Sequence, residues 1–179
     1  MTSIRPDRSA LRRDLLAARR AFAATPDFQA AQAAIDAPLR ELLAELEPEL
    51  LGVYWPLPGE FNPGELPFAR ALPFARRDPA SLGYRRWDGG PPAGRDDCGI
   101  ATSTGAADVP DVVLVPCLGF TRQGFRLGYG GGYFDRFLST HPGVTTVGLA
   151  WSGGEVEFAV EPHDLPLTRI LTERELLAP

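Results

Sequence analysis

Apolar residues near the start of the chain recur with the period of an α-helix. In residues 8–22 they are spaced by four, three and four positions, and four arginines lie at the positions between them. This spacing places an apolar face and a basic face along one helix. We therefore expect an amphipathic first helix whose buried side is formed by Leu11, Leu15, Ala18 and Phe22.

A second helix is expected directly after the first. Thr25 and Pro26 provide a start signal, with Thr25 as the N-cap and Pro26 in the first helical position. One apolar face continues from Phe28 to Leu46. Pro38 lies inside this segment, and a proline within a helix should kink it or split it in two.

Further along, the apolar residues form short continuous runs that indicate strands. The clearest is 111–116, DVVLVP, which has no alternation of polar and apolar residues and is therefore typical of a parallel strand covered on both faces. Two short helices are expected from Asn62 to about Arg70 and from Tyr133 to Leu138. The other strands are expected at 50–55, 72–75, 83–87, 144–151, 156–160 and 169–172.

This order of elements predicts the fold class. Two leading helices followed by strands that alternate with helices indicate an α/β fold with a mostly parallel sheet flanked by helices. The length fits a single layered domain over residues 1–179. Residues 88–110 and 117–127 show neither the period of a helix nor the pattern of a strand and are expected to be loops. A loop as long as the first is usually functional or mobile.

Composition and charge exclude several classes of protein. The chain has 18 basic and 23 acidic residues, a net charge of −5, which argues against nucleic acid as a partner. All basic residues are arginine, so a P-loop NTPase and a lysine Schiff-base enzyme are excluded. The longest apolar run is half a membrane span and no signal-peptide core follows Met1, so we expect no membrane partner. The two cysteines fit free thiols in a reducing cytoplasm.

Candidate chemistry concentrates in the glycine-rich segment 128–132, which contains four glycines and precedes the predicted helix at Tyr133. Such a loop brings backbone N–H groups and a helix N-terminus close to an anion, most naturally a phosphate. Arg122 and Arg126 flank it with planar, fork-shaped donors. A Rossmann dinucleotide site is disfavoured because Tyr133 stands where its third glycine is needed. A glycine-rich turn without a ligand is the structural alternative.

Asp135 and Cys117 each admit two interpretations. Asp135 would stabilise the dipole of the helix by its position in the first turn, or it would supply an oxygen ligand to Mg²⁺ beside a bound phosphate. Cys117 precedes the glycine-rich segment, but nothing in the sequence provides a base to activate it, which favours a packed thiol over a nucleophile.

The segment VPCLGFTRQGFRLGYGGGYFDRFL, residues 115–138, resembles the signature of the 5-formyltetrahydrofolate cyclo-ligase family, also called methenyltetrahydrofolate synthetases. Four further segments, RSALRRDLLAARR, YWPLPGEFNP, YRRW and VEPHDLPLTRILTE, are similar to the family in the same order. The resemblance implies closure of 5-formyltetrahydrofolate to 5,10-methenyltetrahydrofolate, driven by ATP and Mg²⁺, with release of ADP and phosphate. The family usually has Lys at the position of Arg8, and Glu-Pro where this chain has Ala101-Thr102.

The resemblance also implies a set of site residues. Glu60, Tyr129 and Tyr133 would bind the reduced folate, and Asp135 and Asp164 would associate with Mg²⁺. ATP would be bound by Arg8, Arg12, Arg126, Leu127, Gly128, Tyr129, Gly130, Gly131, Gly132, Tyr133 and Phe134.

The chemistry of this reaction fits the residues that the sequence supplies. Phosphorylation of the formyl oxygen makes it a good leaving group, and phosphoryl transfer needs alignment, a metal and positive charge more than a protein nucleophile. Arg126 is the candidate catalytic residue, because its guanidinium would stabilise charge on the transferring phosphoryl group. A non-catalytic module that binds folate or nucleotide on the same fold is the alternative.

Overall fold

The structure is a computed structural model that describes residues 7–179. Within these residues the chain forms three α-helices, α1 (Arg8–Ala23), α2 (Asp27–Leu46) and α3 (Tyr133–Thr140), and one 3₁₀ turn (Ser152–Gly154). No helix in this part of the chain combines the length and apolar character of a membrane span. The strands are β1 (Leu51–Gly52), β2 (Arg70–Arg77), β3 (Ala80–Trp87), β4 (Gly94–Arg95), β5 (Ala101–Thr102), β6 (Ala107–Asp108), β7 (Val112–Pro116), β8 (Gly119–Phe120), β9 (Arg126–Leu127), β10 (Thr145–Leu149), β11 (Arg169–Leu171) and β12 (Leu176–Leu177).

One eight-stranded sheet, in the order β12-β11-β10-β7-β1-β2-β3-β6, organises the described residues. The five strands from β11 to β2 run parallel to their neighbours, and antiparallel strands complete both edges. The predicted α/β fold with a mostly parallel sheet and leading helices is therefore confirmed. The carboxyl ends of β1, β7 and β10 lie side by side, so the loops that follow these strands meet at one edge of the sheet.

Strand β7 shows why its sequence lacks alternation. Leu114 belongs to a hydrophobic cluster with Ile35 and Leu39 of α2. Val113 belongs to a second cluster with Phe137 of α3. Because consecutive strand residues point to opposite faces of a sheet, α2 and α3 must cover opposite faces, and every position of the strand needs an apolar side chain.

The second helix begins differently from expectation, and of the two effects expected of Pro38 the split does not occur, whereas the kink stays a prediction. The Thr25 hydroxyl donates to the Phe22 carbonyl at 2.7 Å and does not cap α2, so Thr25 closes the first helix instead. Helix α2 starts at Asp27 and runs on through Pro38 without being split. Packing of its apolar face against the sheet outweighs the hydrogen bond that the proline removes.

Two predicted elements are absent from the described residues. The helix expected from Asn62 is wrong, because the Asn62 side chain accepts a hydrogen bond from the Gly64 N–H at 3.0 Å and forms a local turn. The strand expected at 156–160 is also wrong. Only Val156 pairs, through an N–H bond of 2.9 Å to Phe120, and Phe158 is buried in a separate small cluster.

Candidate active site

The glycine-rich segment lies just beyond the carboxyl end of β7, after the β8–β9 hairpin, and leads directly into α3. Gly130 and Gly132 have φ angles of +96° and +64°, a region that side chains disfavour, whereas Gly128 and Gly131 do not. Gly132 is also the N-cap of α3. Two of the four glycines are therefore required by the backbone, and the loop presents a helix N-terminus as the sequence predicts.

Helix α1 contributes two of the expected arginines to this edge of the sheet. Nε of Arg12 donates to the Gly128 carbonyl oxygen at 2.9 Å, so this guanidinium lies against the glycine-rich segment. Arg8 lies further along the same face and donates to the Asp164 carboxylate and to the Ala159 carbonyl. The structure thus places both arginines beside loops that the sequence assigns to the site.

Arg126 and Asp135 form a paired, fork-shaped contact. The two guanidinium nitrogens lie 3.0 and 3.1 Å from the two carboxylate oxygens, and the Arg126 side chain is only 6% exposed. The guanidinium also stands over the Phe134 ring, 5.3 Å from its centroid. Asp135 lies in the first turn of α3 and accepts a further bond from the Leu165 N–H at 3.2 Å. Both interpretations of Asp135 therefore stay open.

Asp164, the second carboxylate assigned to Mg²⁺, is held by Arg8. Burial raises the pKa of this carboxyl, but the hydrogen bonds from Arg8 and from the Glu161 N–H outweigh burial and lower it overall. Asp164 immediately precedes Leu165, whose N–H binds Asp135, so the two carboxylates belong to one neighbourhood. Within residues 7–179, no three His, Cys, Asp or Glu side chains come together in a metal-binding group.

Glu60 lies in the loop after β1 and contacts the glycine-rich segment directly. The Tyr129 hydroxyl donates to Oε1 of Glu60 at 2.5 Å, and the Leu57 N–H donates to Oε2 at 2.8 Å. Burial raises the pKa of Glu60, while these bonds and the nearby Arg19 charge oppose the rise. Burial and the Glu60 charge also raise the pKa of Tyr129, so its hydroxyl stays protonated at neutral pH and remains a donor. The proposed folate and phosphate residues therefore meet in one place.

Arg19 is a member of this cluster that the sequence pattern does not single out. Its Nη2 donates to the Tyr129 hydroxyl at 2.7 Å, and its Nη1 lies 3.6 Å from Oε1 of Glu60. The amphipathic pattern puts the arginines of α1 on its solvent face, but Arg19 is buried. Its spacing from Arg8 and Arg12 puts all three on one side of the helix, and this is the signal available in the sequence.

The remaining expected residues occupy different surroundings. The Tyr133 hydroxyl lies 3.3 Å from Sγ of Cys98, in the turn between β4 and β5. Leu127 is 1% exposed and belongs to a small core cluster, so only its backbone is available to a ligand. Arg122 makes ion pairs with Glu155 and Glu175 on the exposed surface.

Cys117 packs in the core beneath the site. Burial raises the pKa of its thiol to about 12, and its Sγ lies near the Val115 carbonyl oxygen at 3.4 Å. A thiol with this pKa remains protonated at neutral pH and is a poor nucleophile. The structure supports the packed-thiol interpretation.

Comparisons with solved structures show the same fold in known proteins. A 5,10-methenyltetrahydrofolate synthetase from Mycoplasma pneumoniae superposes with a TM-score of 0.74 at 22% identity, covering 94% of this chain and 99% of that one. The 5,10-methenyltetrahydrofolate synthetase of Aquifex aeolicus gives a TM-score of 0.76 at 24% identity, covering 96% and 92%. At these identities the likeness establishes the fold alone.

Sequence comparisons identify the family. Proteins named 5-formyltetrahydrofolate cyclo-ligase are 33% identical over 73 residues in Mycoplasma pneumoniae (40% of this chain) and 39% identical over 66 residues in Mycolicibacterium smegmatis (36% of this chain). These matches span 44% and 34% of the two curated relatives, less than half of the length of each. The sequence profile of the 5-formyltetrahydrofolate cyclo-ligase family matches residues 35–173, well over half of the chain. This chain therefore belongs to the 5-formyltetrahydrofolate cyclo-ligase family.

Proposed function

We propose that this chain is an enzyme that converts 5-formyltetrahydrofolate to 5,10-methenyltetrahydrofolate, consuming ATP with Mg²⁺ and releasing ADP and phosphate. The proposal rests on family membership and on the residues gathered at the carboxyl edge of the sheet. It includes a cytoplasmic location, because Cys98 and Cys117 are both free thiols.

The observation that carries the proposal is the direct contact between Glu60 and Tyr129. Glu60 is the residue expected to bind the reduced folate, and Tyr129 belongs to the loop expected to bind phosphate. A reaction between ATP and a folate needs the two reactants in contact. A hydrogen bond of 2.5 Å between the two candidate sites supports such proximity.

The residues around the glycine-rich segment are suited to binding a nucleoside triphosphate. Gly130 and Gly132 hold a backbone curve into which no side chain of their own projects, and α3 begins beyond it. Arg12 and Arg126 provide guanidinium groups close to the segment. Backbone N–H groups, a helix N-terminus and arginine forks are the donors that phosphate oxygens require.

The acidic residues fit a Mg²⁺ ion that arrives with the nucleotide. Mg²⁺ in phosphoryl-transfer sites is bound by one or two carboxylates together with phosphate oxygens and water, and a protein cage of three ligands is not needed. Asp135 and Asp164 would hold it, each exchanging part of its contact with Arg126 or Arg8. When bound, the ion would neutralise charge on the phosphate oxygens.

The chemistry has two steps that the protein needs only to align. The formyl oxygen attacks the γ-phosphorus of ATP, the bond to ADP breaks, and the formyl oxygen becomes part of a phosphate leaving group. N10 then adds to the formyl carbon and loses its proton, and phosphate departs with the bonding electrons. In this scheme Arg126 stabilises charge on the transferring phosphoryl oxygens, and Glu60 and Tyr133 orient the folate.

An absorbance assay for the methenyl product tests the proposal. The purified protein is incubated with 5-formyltetrahydrofolate and Mg²⁺, with and without ATP, and ADP is measured in parallel. We expect product and ADP in equal amounts only when ATP is present. Binding of folate and ATP without formation of product would instead favour a non-catalytic binding module. If the protein neither binds these ligands nor forms product, any role in folate metabolism is refuted.

A further inference from the structure

Arg19 is a buried charge placed between the two candidate binding sites. Its side chain is 8% exposed, and its head group contacts the Tyr129 hydroxyl and the Glu60 carboxylate. Its aliphatic stem packs on Gly59, where a Cβ would stand 3.2 Å from Cγ of Arg19. Gly59 also has a φ of +81°, so both the backbone and the close contact with Arg19 favour glycine before Glu60.

Stability alone does not account for Arg19. Its Nε is buried and has no hydrogen-bond acceptor within residues 7–179. An unmet hydrogen bond in a buried site is destabilising, and an apolar side chain of similar volume would avoid desolvating a charge. The contacts that remain, to Tyr129 and Glu60, point to a role in arranging those two residues.

Arg19, Tyr129 and Glu60 form a continuous hydrogen-bonded network. Arg19 donates to Tyr129, and Tyr129 donates to Glu60. Arg19 lies on α1, Tyr129 on the glycine-rich segment and Glu60 on the loop after β1, so this network connects three separate parts of the fold. Oε1 of Glu60 accepts from Tyr129 and Oε2 accepts from the Leu57 N–H, so both carboxylate oxygens of this buried side chain are held in one orientation.

We propose that Arg19 is a positioning residue that couples the nucleotide site to the folate site through Tyr129 and Glu60. The inference rests on the proposed function and adds to it that the two substrates tighten each other's binding. One arrangement of the three residues serves both ligands. Whichever ligand binds first fixes the glycine-rich segment and the Glu60 loop together, and the second ligand then binds to a site already ordered.

Calorimetric titration tests the coupling. The affinity for 5-formyltetrahydrofolate is measured with and without a non-hydrolysable ATP analogue and Mg²⁺, and the reverse titration is made with the folate present. We expect the wild type to show mutual tightening of about 5- to 150-fold, equal in both directions as linkage requires. Tyr129→Phe, which removes only the bridging oxygen, and Arg19→Met should bring the ratio close to one.

Two further variants complete the design. Arg20→Met is the matched control, because Arg20 is the neighbouring arginine on α1 and is exposed. It should keep the coupling of the wild type. Arg19→Lys keeps the charge without the planar fork and should restore the coupling only in part. In steady-state kinetics we expect Arg19→Met to raise KM for the folate at saturating ATP by a larger factor than it lowers kcat.

The outcomes separate this inference from the proposed function. The inference would be overturned if Tyr129→Phe kept the coupling of the wild type. It would also be overturned if Arg19→Met lowered the melting temperature and the affinity for both ligands but left the ratio of affinities with and without the second ligand unchanged. A wild-type enzyme that forms methenyl product without any coupling would also overturn it and leave the proposed function standing. A wild type that binds neither ligand and forms no product would refute both.

Discussion

Replacement of Gly130 gives the sharpest test of the glycine-rich segment. Gly130 has a φ of +96°, and an added Cβ would stand 3.4 Å from the Arg12 guanidinium, which is an ordinary contact distance. The difficulty for Gly130→Ala is therefore the backbone and not the space. A residue with a side chain held in such a conformation costs about 1–3 kcal/mol.

This free energy must be lost in one of two measurable ways. If the segment keeps its shape, the folded protein is destabilised, and at about 2–4 °C per kcal/mol for this size the melting temperature falls by about 2–12 °C. If the segment relaxes, the cost returns when ATP requires the original shape, and affinity falls by up to about 5- to 140-fold. The two losses together should equal the strain.

Comparison of Gly130→Val with Gly130→Ala separates backbone strain from steric blocking of the phosphate. The branched side chain of valine extends into the space through which phosphate would approach the backbone, so we expect a larger loss of ATP affinity than in the alanine variant. Affinity for 5-formyltetrahydrofolate alone should change less. Gly143→Val is the matched control, because a Cβ added at Gly143 would meet no atom of residues 7–179 within 4 Å and its φ lies outside the left-handed region. Gly130→Val that melts earlier but binds ATP as tightly as the wild type would show that no phosphate approaches this backbone.

Other residues of the site give four more tests. Arg126→Ala should lower kcat by about 100- to 1000-fold, with partial rescue by lysine, and a kcat close to that of the wild type would end its assignment as catalytic. Asp135→Asn should remove most activity and alter the Mg²⁺ titration; a lower melting temperature with unchanged Mg²⁺ dependence would mean that Asp135 only stabilises the helix. Because folding raises the pKa of Glu60, wild-type stability relative to Glu60→Gln should be greatest below the ordinary carboxyl pKa and decline as pH rises through the raised one, and a difference in unfolding free energy that is constant with pH would contradict the shift. Iodoacetamide should label Cys98 in the native protein and Cys117 only after unfolding, as peptide mass spectrometry would show.

Local sequence was sufficient where one element determines its own environment. The run of apolar residues in β7 indicates burial on both faces, and the strand lies in the middle of the sheet. The glycines at 130 and 132 likewise mark a backbone that needs positive φ immediately before a helix. In both places the physical requirement depends on consecutive residues.

Sequence was insufficient where the deciding partner is distant. Arg19 has the pattern of a solvent-facing residue on an amphipathic helix, and its burial is explained by distant partners, Glu60 and Tyr129, the latter 110 positions later. The apolar residues near Phe158 indicate a strand, but Phe158 packs under the Arg8 guanidinium, 5.0 Å from its ring centroid, and belongs to no sheet. Periodicity reports which residues are apolar and not which distant surface receives them.

Three of the arginines of α1 also bear on the order in which the protein is made. Arg19, Arg12 and Arg8 are separated from Tyr129, Gly128 and Asp164 by 110, 116 and 156 residues. The ribosome therefore releases this helix long before any of those partners exists. A nascent chain that has reached the end of β7 already contains β1, β2 and β3 but none of these three contacts. The sheet can begin to assemble during synthesis, whereas the site is completed only after the last third of the chain has emerged.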